Sequence, residues 1–308
     1  MLVVVNKNSG GGTALKKWNS IYKLLQLNGS TETFIVGRNG SFDKFILNSV
    51  QNGKTDFIIA GGDGSINYFL NRCIDLLEPI TLKQIKLGAI GIGSSNDFHK
   101  PFLSSNLIEN IPCKLNLNEA VPRDVGCIEF ERDRKTFKKY FLINASIGVT
   151  AEGNHFFNNP DFILRYLKKI STQSAITYTV LKNILIYKNF KTKIEVNNES
   201  FTANIANLGV LKSPFFTGKL RFQSDPLLDN GFFDVHLYEF ISKIKLLKLF
   251  YTLSKRKSDK IFNKKFWRTD RIKISSEKEF AVEFDGEVIT TKKVEFSVKP
   301  GLIKVCTN

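Results

Sequence analysis

The sequence predicts an α/β domain with a mainly parallel sheet, joined to a second, β-rich domain. Three observations carry that expectation. Short apolar runs alternate with amphipathic helical periods through the first third of the chain, the pattern of β-loop-α units. After a connection between Pro112 and Pro122 the texture changes to short strand candidates separated by turn residues, as antiparallel sheets require. The 308 residues, 42% hydrophobic and 24% charged, suffice for about two domains with ordinary cores and exclude wholesale disorder or a collagen-like chain. The boundary is expected to leave residues 1–122 in the first domain and 123–308 in the second, with the last few residues packing back on the first.

Leu2-Val3-Val4-Val5 reads as a buried strand by its unbroken apolar character. Asn6-Lys7-Asn8-Ser9-Gly10-Gly11-Gly12 ends it in a glycine loop that no regular element tolerates. Leu15, Trp18, Ile21, Tyr22 and Leu25 then recur at helical spacing until Asn28-Gly29 supplies a stop. Thr33-Phe34-Ile35-Val36 is a second strand, and Phe42, Phe45, Ile46 and Val50 form the stripe of a helix capped by Ser41. Phe57-Ile58-Ile59-Ala60 is a third strand. Gly61-Gly62-Asp63-Gly64-Ser65 turns the chain into a helix marked by Ile66, Phe69, Leu70, Cys73, Ile74 and Leu77. Leu87-Gly88-Ala89-Ile90 is the fourth strand, followed by the loop Gly91-Ile92-Gly93-Ser94-Ser95-Asn96-Asp97. Ligands of parallel sheets bind beyond the carboxyl ends of the strands, where all three polar glycine loops fall.

In the second domain, strands are expected at residues 127–130, 140–149, 191–196, 201–210, 232–238, 271–274, 280–284 and 294–298. Asn197-Asn198, Asp229-Asn230-Gly231 and Asp285-Gly286 are turns between them, and helical stretches interrupt the pattern around 162–170, 176–187 and 242–253.

The chain carries 45 Lys and Arg against 29 Asp and Glu, a net charge of +16, which points to an anionic partner: nucleic acid, an acidic membrane surface or a nucleotide. No apolar run approaches the roughly 20 residues that span a bilayer, and the opening Met1 to Val5 is too short for a secretory signal. A cytoplasmic protein beginning near Met1 is expected. Cys73, Cys113, Cys127 and Cys306 are scattered, without metal-ligand spacing, and read as reduced core residues. His99, His155 and His236 have no visible catalytic or metal partners and are assigned to hydrogen bonding at the surface or in the core.

Gly61-Gly62-Asp63-Gly64-Ser65 between a strand and a helix has a direct use. Glycines let the backbone approach a phosphate, the N–H groups and the helix N-terminus attract the anion, and Ser65 adds a donor. Asp63 leaves two readings open. A carboxylate beside a phosphate is repulsive unless a metal ion bridges them, which argues for Mg²⁺; alternatively Asp63 caps the helix in a tight turn. Gly93-Ser94-Ser95-Asn96-Asp97, a second small hydroxyl-rich loop ending in a carboxylate, strengthens the phosphate reading, and Asn6 with Ser9-Gly10-Gly11-Gly12 adds a third. None is a Walker A loop, and no GxGxxG opens the first helix.

In order and interval these three loops resemble the diacylglycerol kinase catalytic-domain family, which includes bacterial lipid kinases and sphingosine kinases. The resemblance continues through Arg123-Asp124-Val125-Gly126, Asn144-Ala145-Ser146-Ile147-Gly148, the run from Pro226 through Asp229-Asn230-Gly231 to Asp234, and Phe284-Asp285-Gly286-Glu287. It implies a C-terminal β-sandwich, ATP as phosphate donor and Mg²⁺. By position, Asn6, Ser9, Gly10, Gly61, Gly62, Gly64, Ser65, Gly93, Ser94 and Asn96 would line the nucleotide. Asp63, Asp97 and Asp124 would form an acidic network to the catalytic Mg²⁺, and Glu287 would be general base toward the lipid hydroxyl. Asp229 and Asp234 match positions associated in some bacterial members with a second, structural Mg²⁺. The chain departs from the family pattern at Lys7, where proline is usual, at Ser65, where threonine is commoner, and at Phe215-Phe216-Thr217-Gly218, a reduced glycine-rich segment.

The expected function is a lipid kinase of phospholipid metabolism, acting on a diacylglycerol-like alcohol from the inner membrane face. An NAD kinase-like enzyme and a catalytically silent lipid- or nucleotide-binding protein are the alternatives, and a homodimer is an open option. Lys243, Lys245, Lys248, Lys255, Arg256, Lys257, Lys260, Lys264, Lys265 and Arg268, interleaved with Phe250, Tyr251, Phe262, Phe266 and Trp267, are the expected docking region for an anionic membrane. No nucleic-acid module accompanies the charge, so nucleic acid is not an expected partner.

Overall fold

The structure is a computed structural model that describes residues 2–27, 32–36, 41–218, 220–255 and 263–307. Asn28 and Gly29, expected as a helix stop, lie outside the described residues, as do Arg256, Lys257, Lys260 and Phe262. The chain forms two compact units: Met1–Val125 with Pro300–Asn308, and Gly126–Lys299.

The first unit runs β1 (Leu2–Val5), α1 (Ala14–Leu27), β2 (Glu32–Ile35), α2 (Ser41–Gln51), β3 (Asp56–Gly61), α3 (Asp63–Leu76), the short α4 (Pro79–Leu82), β4 (Lys86–Gly91), β5 (Leu107–Ile108) and β6 (Ile111–Lys114). β1 pairs in parallel with β2 and β3, and β3 in parallel with β4. β6 lies antiparallel on β4, and β5 antiparallel on β6. Strands covered on both faces must be apolar throughout, and Val3, Val5, Phe57, Ile58, Ile59, Leu87 and Ile90 are all buried. Trp18, Ile21 and Leu25 of α1 pack with Ile58, Ala60, Ile90 and Cys306 into one core. Val5 stands opposite Ala60, and Gly61 opposite Gly91, so the loops after β1, β3 and β4 leave the sheet at one edge. Near the end of the chain, Lys304 and Val305 add a further parallel pairing beside Lys86 and Leu87.

The second unit runs β7 (Val121–Arg132, within which the division between units falls), β8 (Lys135–Phe141), β9 (Asn144–Gly148), α5 (Val149–Asn158), α6 (Phe162–Ile170), α7 (Thr172–Ile186), β10 (Phe190–Val196) and β11 (Glu199–Leu211). It continues through β12 (Phe215–Phe216), β13 (Leu220–Arg221), β14 (Phe233–Glu239), α8 (Lys243–Ser254), β15 (Lys264–Thr269), β16 (Arg271–Phe284) and β17 (Glu287–Val305). Its pairings are antiparallel: β7 with β8, β10 with β11 and β16, β11 with β14, β14 with β15, β16 with β17, and β9 with both β11 and β16. Alternate apolar residues of these strands, from Ile128 through Phe233 to Phe296, form its main core. Ile184, Leu246 and Leu249, from α7 and α8, pack with Ala206, Leu211 and Tyr238 in a second cluster.

Two strand expectations need correction. Residues 140–149 are not one strand: β8 ends at Phe141 and β9 starts at Asn144. The N–H groups of Leu142, Ile143 and Asn144 donate instead to the Asp285 carboxylate, at 2.8, 3.0 and 3.2 Å. Residues 271–274 and 280–284 are not two strands but one, β16, whose register on β17 shifts between Ser275 and Phe280. Asn197-Asn198 and Asp285-Gly286 are turns as expected. Each has positive φ at both residues (47° and 65°, 45° and 91°), the two-residue hairpin geometry that follows strand twist. No helix among the described residues is long and apolar enough to cross a membrane.

Asp285 is buried and serves as the acceptor for the whole break between β8 and β9. Asp285→Ala would orphan those donors and is expected to cost about 3 kcal/mol or more of stability, read by urea denaturation. A loss under about 1 kcal/mol would show that the break does not depend on the carboxylate.

Candidate active site

Three loops meet at the carboxyl edge of β1, β3 and β4. The Asn6 side-chain amide donates to the Ser65 hydroxyl at 2.9 Å, and the Ser9 and Ser65 hydroxyls lie 3.1 Å apart. With Asn6 donating to it, the Ser65 hydroxyl keeps its own proton for another acceptor, Ser9 or a phosphate oxygen. Gly10 holds φ at +59°, and a Cβ there would stand 2.7 Å from the Ile92 carbonyl, so the first loop crosses the third only as glycine. Residues 10–12 form a short 3-10 turn rather than an unstructured loop. A Cβ on Gly93 would stand 2.4 Å from the Gly62 Cα, which is how closely the second and third loops pass. Lys17, on the first turns of α1, reaches the Gly93 carbonyl at 3.4 Å.

Gly62, in extended conformation, is the cap residue of α3 and has no side chain to occupy the first N–H groups of the helix. Asp63 is therefore not the helix cap. Its two oxygens accept the N–H groups of Asp97 and Phe98, at 3.0 and 2.9 Å, and so pin the third loop to the start of α3. Asn96 shapes that loop from inside. It sits at φ 53°, accepts from Gly93 N–H at 3.1 Å and donates to the carbonyls of Gly91 and Gly93. Ser94 stands exposed at the tip.

The acidic residues expected to reach Mg²⁺ are occupied otherwise. Asp97 forms a buried pair with Lys100 at 2.5 Å and accepts from Ser95 at 3.0 Å. Asp124 is buried in β7 and accepts the Gly301 N–H at 3.1 Å. Asp63 and Asp97 are adjacent, but among the described residues no group of three or more His, Cys, Asp or Glu could hold a metal ion. The carboxylates act as acceptors for main-chain N–H groups and lysine, so the residues present do not fit a metal cage of the protein's own.

In the second unit, the Asp285-Gly286 hairpin leaves Glu287 exposed as the first residue of β17, paired with Phe284. The hairpin is fixed from beneath. Buried Glu283 accepts from Gly286 N–H at 2.9 Å and from the Ser146 hydroxyl at 2.7 Å, and the Asn158 amide donates to the Gly286 carbonyl at 3.0 Å. Asp234, expected at a structural Mg²⁺, is buried against Arg268 at 2.9 Å, and Asp229 is exposed. Fully buried Lys212 donates to the Asn230 side chain at 3.3 Å and the Phe232 carbonyl at 3.0 Å, so an ammonium braces the turn after Asp229. Phe215 and Phe216 are buried, and Phe216 stacks on Phe222, so the reduced glycine segment is a small apolar cluster.

The sequence profile of the diacylglycerol kinase catalytic domain matches residues 1–128, and that of the YegS C-terminal NAD kinase β-sandwich-like domain matches residues 145–307. The chain belongs to the diacylglycerol kinase catalytic-domain family. No curated protein matches the sequence. Among solved structures, two candidate diacylglycerol kinases from Bacillus anthracis strain Sterne share 20% identity with it. One superposes with a TM-score of 0.72 over 100% of this chain and 94% of the other, the second with 0.69 over 100% and 96%. A third, described as a diacylglycerol kinase of the same strain, gives 17% identity and 0.68 over 100% and 96%. These likenesses show the fold.

Within this diacylglycerol kinase-type chain, the sequence overlooked Lys17, Lys100 and Lys212. Lys17 is one helical turn beyond Thr13 on the helix that follows a glycine loop, a phase that could have marked it. Nothing local marks Lys212 as buried. Four free cysteines are buried, as expected; burial pushes the Cys113 thiol up to about 12 and the Cys306 thiol up to about 11. His236 meets the Ser224 hydroxyl at 2.9 Å. His99 corrects its assignment: it is buried, and among the described residues neither ring nitrogen has a hydrogen-bond partner. Burial, then the nearby Lys114, push its pKa down to about 3. Part of the expected docking segment lies in a strand. Lys264 through Arg268 belong to strand β15, where Trp267 packs on the core and against Phe201, Lys265 pairs with Glu239 and Arg268 with Asp234. The Lys265, Phe266 and Arg268 side chains remain exposed.

Overpacking two backbones costs about 1–3 kcal/mol, so Gly93→Ala is expected to lower stability by about that amount in urea denaturation; an unchanged midpoint would show that the second and third loops can part without cost. His99 binds a proton more readily unfolded than folded, so its contribution to stability is present above about pH 6.5 and is lost as pH falls toward about 3. His99→Phe is expected to flatten the fall of melting temperature across that window.

Proposed function

We propose that the protein is a lipid kinase that moves the γ-phosphate of ATP to the hydroxyl of a diacylglycerol-like lipid, as a peripheral protein at the cytoplasmic face of a membrane. One observation carries the reading: three glycine, serine and asparagine loops interlock at one sheet edge around the uncapped start of α3. Phosphoryl transfer asks little covalent chemistry of a protein; it asks for fixed donors around the moving charge. Backbone N–H groups of α3, the Ser65 and Ser9 hydroxyls, Ser94 and the Lys17 ammonium are donors of that kind. Asp63 and Asn96 hold the loops that carry them, and Mg²⁺ arrives as the counterion of the nucleotide. Glu287 accepts the proton of the lipid hydroxyl, the role implied by the resemblance, and the braced hairpin restricts its orientation.

The description of the matched C-terminal domain as NAD kinase-like supports one competing acceptor. Purified protein with γ-labelled ATP and a panel of diacylglycerol, sphingosine, other lipid alcohols and NAD separates them. Label is expected in a diacylglycerol-like lipid. Label in NAD with none in any lipid, or no transfer to any acceptor, would overturn the proposal. Glu287→Gln should reduce turnover about a hundredfold or more while leaving ATP affinity unchanged.

A further inference from the structure

Helix α6 has its apolar stripe on the wrong side for a helix of a water-soluble unit. Phe162, Tyr166 and Ile170 recur every four residues, with Ile163 beside them, and such a stripe ordinarily faces the core. Here Leu164 is the buried residue of the helix, whereas Phe162 is 83% exposed, Ile163 51%, Tyr166 60% and Ile170 63%. The exposure is built in. Asp161 caps α6 by accepting the Leu164 N–H at 2.7 Å, and its other oxygen accepts from Tyr178 at 3.0 Å and Lys182 at 2.6 Å on α7. Lys168 lies over the Phe157 ring at 3.8 Å and donates to the Phe157 carbonyl. Polar bonds on one side thus hold the stripe in water on the other.

The neighbours continue the pattern. α6 packs on α7 and α7 on α8. Leu181, Leu185 and Ile186 of α7 and Ile244, Leu247 and Tyr251 of α8 are exposed as well. That exceeds the scattered apolar residues of an ordinary surface. None of the three helices contains an Asp or Glu, while α6 carries Arg165, Lys168 and Lys169, and α8 carries Lys243, Lys245 and Lys248. Exposed apolar side chains flanked by cations suit the headgroup boundary of an anionic bilayer, where the apolar face enters about 5–10 Å and each basic residue adds about 1 kcal/mol. A second copy docked face to face would set these cations against their equals.

We infer that the α6–α8 face, led by the Phe162, Ile163, Tyr166 and Ile170 stripe, is the surface by which this protein lies on an anionic lipid bilayer. The inference deepens the lipid-kinase reading, since it names where the substrate's phase is met, but vesicle binding is read without turnover.

The full chain is sedimented with vesicles of phosphatidylglycerol and phosphatidylcholine, and with phosphatidylcholine alone, at low and high salt. The expected result is binding to the anionic vesicles, weakened by salt. Phe162→Ser with Tyr166→Ser should lower partitioning about tenfold or more at unchanged melting temperature. Arg165→Glu with Lys169→Glu should remove the preference for anionic vesicles. Wild-type protein that does not bind, or variants that bind as well as wild type, would overturn the inference while leaving the label-transfer result to judge the kinase. A chain that is dimeric in solution and made monomeric by the serine variant would overturn it in favour of a second copy on this face. Vesicle binding lost in the variants, with no label transfer by wild type, would sustain the surface and sink the kinase.

Discussion

A side-chain carbon on Gly93 would fall 2.4 Å from the Gly62 Cα, and one on Gly10 2.7 Å from the Ile92 carbonyl. The site in the first unit depends on these backbone crossings. Loops leaving one edge of a parallel sheet can diverge or converge, and convergence to this degree is open only to residues without Cβ. The crossings bring the Ser65 and Ser9 hydroxyls within 3.1 Å of each other and set Lys17 against the Gly93 carbonyl. Everything proposed for the nucleotide follows from donors concentrated at that edge, beside the start of α3 whose cap contributes no side chain.

Converging backbones also create unsatisfied N–H groups, and the carboxylates answer that need. Asp63 takes those of Asp97 and Phe98, Asp124 takes that of Gly301, and Asp285 takes those of Leu142, Ile143 and Asn144. Asp63 and Asp124 read in the sequence as metal-directed chemistry and Asp285 as a turn residue, because an acidic residue beside glycines looks the same whether it faces a cation or a peptide. Accounting for main-chain donors shows what these oxygens do in the fold, since a buried N–H almost never goes without a partner. Lys212 makes the complementary point: an ammonium braces the turn near Asp229 where the sequence suggests a divalent ion.

The alternation of strands and helices in the first unit, the glycine loops at their ends and the hairpin turns were legible because each rests on local rules: apolar runs, the need for positive φ, and helix punctuation. The break between β8 and β9 was not, because Leu142 and Ile143 are as apolar as the strands around them and only Asp285, far along the chain, diverts their N–H groups. The unity of β16 was hidden for the opposite reason. The polar residues between Ser275 and Phe280 look like a loop but lie within a strand that shifts register there. In α6, periodicity reveals a stripe without saying which side is covered, and only burial shows that Leu164 turns inward while Phe162, Ile163, Tyr166 and Ile170 do not.

On the proposed reading, two anionic partners would be served by different physics in different parts of the chain. A phosphate seat gains from fixed donors held rigidly, since reorienting dipoles at the moment of transfer is what catalysis must avoid. A bilayer surface is laterally fluid and needs no such fit, so apolar area and loosely held cations suffice. The basic residues divide accordingly. Lys17, Lys100 and Lys212 are engaged with carbonyls, amides or carboxylates, while Lys169 stands exposed beside exposed rings and Arg165, also exposed, donates to the Pro160 carbonyl at the surface. On the lipid-kinase reading this division has a kinetic use. An interfacial stripe without a spanning helix gives reversible attachment, which lets one protein draw nucleotide from water and an insoluble alcohol from the membrane without committing to either phase.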